Sequence, residues 1–152
     1  MPDDPAPEEI DRWHRWMAAS LFNRAWDLLE SGRTPEEDRE LLATALASWL
    51  HWRQVGTPVN RAVADWQVAR VWAVLGDAAA AEAHGLESLR VAEEAALGPF
   101  FVGYACEALA RAAGVAGDST AREAWRERAA RAAAEVADEG DRALLEADLE
   151  AL

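Results

Sequence analysis

The sequence predicts an all-α protein, a right-handed stack of about three antiparallel helical hairpins closed by a C-terminal capping helix. Three observations carry this expectation. Apolar residues recur at three- and four-residue steps along almost the whole chain, and no stretch alternates at period two for long enough to suggest a strand. Gly and Pro punctuate the chain into segments of helix length. Trp66 to Asp77, WQVARVWAVLGD, is echoed 41 residues later by Glu107 to Asp118, EALARAAGVAGD; each copy stops at Gly-Asp before a second, charged, Ala-rich segment. Self-similarity at such a period is the mark of a helical repeat.

The elements follow in order. Residues 1–7 hold three prolines and are expected to be a flexible tail, so the single repeat domain spans 8–152. The first helix runs from Glu8 to about Ser31, with Gly32 suited to a left-handed cap. Thr34-Pro35-Glu36-Glu37 opens the second: Thr34 as N-cap, Pro35 at the first helical position, Glu37 closing a capping box. That helix reaches about Gln54, and Thr57-Pro58 repeats the cap-then-proline signal for a third ending at Gly76. Asp77 caps a fourth, Ala78 to Ala96. Gly98-Pro99 breaks the chain before a fifth ending near Gly117. Asp118, Ser119 or Thr120 caps a sixth running to about Asp138, and Gly140-Asp141 leads into a short seventh, RALLEADLEAL. Gly32, Gly76 and Gly117 thus mark the turns of three hairpins, 44 and 41 residues apart.

Composition narrows the function. The chain has 152 residues, 28 acidic against 15 basic, and a net charge of −13. Phosphate contacts need a basic surface, so nucleic acid is an unsuitable ligand, and a bare anionic membrane is disfavoured for the same reason. A basic or neutral protein partner fits better. Apolar stretches fall far short of a membrane span, and the acidic N-terminus has no signal-peptide pattern, which points to the cytoplasm. All basic residues other than His are Arg, which excludes Schiff-base and lysine-nucleophile chemistry. Cys106 is the one cysteine, so neither an intramolecular disulfide nor a Cys-built zinc site can form, and its small neighbours suit a buried packing thiol.

Two resemblances follow from motifs. Ala69, Trp72 and Gly76, then Ala81 and Ser88-Leu89, resemble the packing positions of a tetratricopeptide repeat, although Gly85 stands where that repeat has an aromatic. The spacing exceeds the usual period of about 34 and implies stretched helices. More specifically, residues 21–150 resemble a family of uncharacterised bacterial tetratricopeptide-like proteins. The likeness rests on His51-Trp52, GTPVN at 56–60, WQVARV at 66–71, Leu75-Gly76, His84 and YACEALARA at 104–112. Leu46 occupies the place of that family's second histidine. The resemblance implies a fold and no established activity.

In a tetratricopeptide-like stack the first helix of each hairpin lines the concave surface. Setting the hairpins in register on their glycines brings together Phe22 and Trp26, Trp66 and Arg70, and Tyr104, Glu107 and Arg111. Aromatics beside two Arg and one Glu could form a groove for a peptide or small ligand, with Arg70 and Arg111 clamping a carboxylate. Equally, Trp66 and Tyr104 could pack between helices while Arg70, Glu107 and Arg111 pair among themselves. His14 and His51 lie near the start of the first helix and the end of the second, close enough to meet; Glu9, Asp11 or Asp65 would be needed as a third metal ligand. Eight Trp, including the pairs Trp13/Trp16 and Trp49/Trp52, suit either a Trp-rich core or a homodimer.

No GxSxG, HExxH, P-loop or dinucleotide fingerprint occurs. The functional expectation is therefore a non-catalytic module that binds a protein or peptide through the aromatic–Arg face, with no cofactor. The alternative is a ligand- or metal-binding protein, or an enzyme, built on Arg70/Glu107/Arg111 or on His14/His51.

Overall fold

A computed structural model describes residues 5–152, and among them there are seven α-helices and no strand. They are α1 (Pro7–Glu30), α2 (Pro35–Val55), α3 (Pro58–Leu75), α4 (Ala78–Glu94), α5 (Pro99–Ala116), α6 (Ser119–Glu135) and α7 (Glu139–Glu150). None is long and apolar enough to cross a membrane. Each packs against the next in sequence, α3 also meets α5, and α7 lies against both α5 and α6.

Local chemistry explains most of the boundaries. Thr34 accepts from the amide of Glu37 while the Glu37 carboxylate accepts from the amide of Thr34, a complete capping box. Thr57 and Asn60 repeat it at the start of α3. Pro35, Pro58 and Pro99 sit in first turns, where the missing N–H removes no helical bond. Asp77, Asp118 and Asp138 each accept from the amide three residues on, at the N-termini of α4, α6 and α7. Gly76 (φ 86°) and Gly117 (φ 75°) take the left-handed conformation that ends α3 and α5.

Five boundaries depart from expectation. Pro7 already belongs to α1, one residue before the expected start at Glu8, and residues 1–4 of the expected tail lie outside the described residues. Gly32 is not left-handed. The end of α1 is satisfied by side chains instead: the Arg33 guanidinium donates to the carbonyls of Leu28 (3.0 Å) and Leu29 (3.2 Å), and Ser31 Oγ to Leu28 (3.0 Å). α4 stops two residues before Ala96, because Ala96 itself adopts φ 49° and lets the amide of Leu97 reach the carbonyl of Ala92. α6 ends at Glu135, and α7 starts before Arg142, since Asp138 caps it and draws Gly140 and Asp141 into its first turn.

The core is built mainly from alanine and leucine. One cluster joins Ala25, Leu28, Leu41, Ala45, Val68 and Val71, with Leu46, Trp49 and Trp72 packed against it. A second joins Leu89, Ala105, Cys106, Leu109, Ala129, Ala133, Leu145 and Leu149. Small residues let the helices approach closely. A Cβ at Gly85 would come within 2.9 Å of Leu109 Cδ2, so the aromatic of the tetratricopeptide pattern has no room there. Two buried serines tie hairpins in the same way: Ser48 donates to the carbonyl of Ala18 and Ser88 to that of Ala62, both at 2.8 Å.

Candidate functional site

The seven residues expected on one face form one connected network. Phe22 and Trp26 come from α1, Trp66 and Arg70 from α3, and Tyr104, Glu107 and Arg111 from α5. Each set is spaced by three or four residues, which puts its members on one side of their helix. Ring centroids step from Phe22 to Trp26 (6.3 Å), to Trp66 (5.4 Å), to Tyr104 (5.1 Å) and to Phe100 (5.0 Å), mostly edge to face.

The polar half of the network is internally paired. Glu107 is fully buried, accepts from Trp66 Nε1 (3.2 Å) and from Arg111 Nε, and lies 3.7 Å from Arg70 Nη1. Burial pushes its carboxyl above the ordinary range, while Arg111 and Arg70, and the Trp66 N–H, pull it back. Arg70 also sits over the Trp26 ring at 5.6 Å and 3.9 Å from Asp148 of α7. The Tyr104 hydroxyl donates to Asp148 at 2.9 Å, and burial followed by that carboxylate raises its pKa. Two Arg therefore face two carboxylates from the same chain. The carboxylate clamp expected of Arg70 and Arg111 is filled by Glu107, and α7 approaches the site through Asp148.

An open pocket remains beside this network. It has a volume of about 180 Å³ and is lined by Ala62, Val63, Trp66, Ser88, Phe100, Phe101 and Tyr104, so its walls are almost wholly apolar. Ser88 adds no polar group to it, because its hydroxyl is spent on Ala62. Neither a family model, nor a curated protein, nor a solved structure matches the chain. The geometry alone thus carries the functional argument.

The other candidates separate. His14 and His51 do meet, with Nδ1 atoms 2.7 Å apart and both rings half-buried, so one ring donates and the other accepts. Among the described residues no group of three or more His, Cys, Asp or Glu could hold a metal ion. Asp65 is turned elsewhere: it is buried and accepts from Trp49 Nε1 (2.9 Å) and His84 Nδ1 (2.8 Å), tying α2, α3 and α4 together. Asp11 faces Arg15 at 3.9 Å. Cys106 is fully buried, and burial pushes its thiol up to about 11, which removes nucleophilic character at neutral pH.

Sequence reasoning missed Asp148, Phe100 and Phe101. Phe100 stands four residues before Tyr104, a spacing that could have found it. Nothing in the local sequence of α7 singles out Asp148 from the acids around it.

Proposed function

We propose that this chain is a non-catalytic interaction module that holds a protein or peptide segment along the aromatic face of α1, α3 and α5. One apolar side chain of that segment anchors in the pocket between Trp66, Phe100, Phe101 and Tyr104. The observation that carries this reading is the pocket itself, rimmed by amphipathic aromatics and free of polar demands. Its size favours a side chain over a whole small molecule: ligand sites usually enclose about 300–1,000 Å³, against about 180 Å³ here. Arg70 and Arg111 hold Glu107 and orient the aromatic walls. A net charge of −13 favours a partner that is basic around its apolar anchor. The tetratricopeptide-like, right-handed stacking belongs to this proposal; it is supported by the adjacency of consecutive helices and by the contact between α3 and α5.

Selection from a random peptide library displayed on phage tests the reading. Wild-type protein is expected to enrich peptides sharing an aromatic or large aliphatic residue. Val63→Phe, which fills the pocket from a half-buried position, and Phe101→Ala, which removes a wall, should weaken the best peptide at least tenfold while the helical circular dichroism is retained. Equal affinity for both variants would overturn the pocket as the anchor site.

A further inference from the structure

Four aromatic rings border the pocket between α3, α4 and α5. Trp66 and Tyr104 are inclined at 67° with centroids 5.1 Å apart, and Tyr104 and Phe100 at 73° and 5.0 Å. Phe100 and Phe101 stand at 89° and 5.4 Å. Where two rings meet near a right angle, the corner between them is bounded by a face of each. The face is the negative side of the ring quadrupole and the edge the positive side. A box of such corners attracts a cation.

The polar ends of these aromatics are turned to acids. Trp66 Nε1 donates to Glu107 (3.2 Å) and the Tyr104 hydroxyl to Asp148 (2.9 Å). A donor bonded to a carboxylate is polarised, which enriches its ring in electrons and strengthens the ring's pull on a cation. Arg70 and Arg111 offset those two carboxylates, so the ring faces supply the local attraction, in a chain whose net charge is −13. No charged side chain lines the pocket, and its other hydroxyl, on Ser88, is bonded to Ala62. An ordinary ammonium or guanidinium would leave the N–H groups that face these walls without acceptors. A fully methylated nitrogen has no such donors: its methyl groups suit the apolar walls, and its charge suits the π faces.

We infer that the group seated in this pocket is the trimethylated side-chain ammonium of a lysine in the partner segment. The inference rests on the pocket reading above and gives its anchor a charge. A volume of about 180 Å³ takes one side-chain head, and the pocket is open on one side to admit a stem. The four-carbon stem of lysine carries such a head in from a backbone lying along α1, α3 and α5.

Isothermal titration of the full chain with three versions of one short Arg/Gly peptide tests the inference. The central residue is trimethyllysine, its uncharged analogue with carbon in place of the nitrogen, or unmodified lysine. The trimethyllysine peptide should bind about tenfold tighter than either of the others. It shares its shape with the uncharged analogue, so that difference reports the charge alone. Phe100→Leu/Phe101→Leu keeps apolar bulk and removes two π faces; it should cut this preference by about threefold or more, with helical circular dichroism unchanged. Choline, a free quaternary ammonium, should bind about tenfold more weakly than the trimethyllysine peptide. An uncharged analogue that binds as tightly, or a preference that survives the Leu substitutions, would overturn the inference and leave the pocket an apolar anchor site. Choline binding as tightly would overturn the lysine as its source. Absence of binding by all three peptides overturns the cation, and only failure of the phage selection as well overturns the pocket.

Discussion

Replacing Glu107 by Gln keeps the shape of the side chain and removes its charge, and the structure sets the size of the effect. Glu107 is fully buried and serves Arg111, Arg70 and the Trp66 indole. Removing one member of a buried ion pair typically costs about 3–5 kcal/mol, because the remaining charge is left unpaired in low dielectric. Here the stranded groups are guanidiniums with 21% and 23% of their side-chain surface exposed, so water screens part of the loss. The Gln carbonyl can still accept from Trp66. A loss of about 2–3 kcal/mol follows, or about 5–10 °C in Tm for a chain of this length. Urea unfolding followed by circular dichroism measures it. In an Arg111→Met background the same substitution should cost at least ~1 kcal/mol less, since one stranded cation is gone. A change below about 0.5 kcal/mol in the wild-type background would refute the argument that Glu107 is the electrostatic centre of the site.

The turn glycines and the imidazole pair provide the remaining tests. Gly76→Ala and Gly117→Ala should each lose about 1 kcal/mol from left-handed strain alone, as a Cβ meets nothing within 4 Å at either site, whereas Gly32→Ala should be near neutral; thermal denaturation distinguishes them. For His51, burial first and His14 second lower the pKa in the folded chain. The folded state then binds fewer protons than the unfolded state, so stability falls as pH drops below the ordinary histidine value of about 6.5 and levels off below the lowered one. A Tm profile from pH 8 to 5 should show this loss, and His51→Gln should flatten it.

What could be read from the chain depended on how local the signal was. The capping box at Thr34 and the cap-then-proline start at Thr57 needed only a few residues each, and both appear as expected, whereas the box that Asn60 closes with Thr57 is seen only in the structure. Asp77 caps α4 as expected, and of Asp118, Ser119 and Thr120 it is Asp118 that caps α6. The end of α1 was misjudged at Gly32 because Arg33, a residue with no capping signature in sequence, bonds the last carbonyls. Asp138 falls at the expected tail of α6 because the Ala-rich run carries no stop signal at Glu135; in the structure Val136 turns extended and Asp138 caps α7 instead. At the site, aligning hairpins on their glycines sufficed to gather Phe22 through Arg111. Whether the arginines were free to clamp a ligand was a different question. That depended on Glu107 being buried between them and on Asp148 arriving from α7, and both are matters of tertiary packing.

Tyr104 belongs to two structures at once: its ring walls the pocket and its hydroxyl holds Asp148 of α7. Any occupant that shifts the ring must also disturb the bond to the last helix, so the seating of α7 and the occupancy of the pocket share one free energy. By reciprocity, whatever loosens α7 changes the pocket's affinity by the same factor that occupancy changes the docking of α7. If the pocket seats a partner as proposed, a change in α7 that reaches Asp148 alters its affinity through Tyr104.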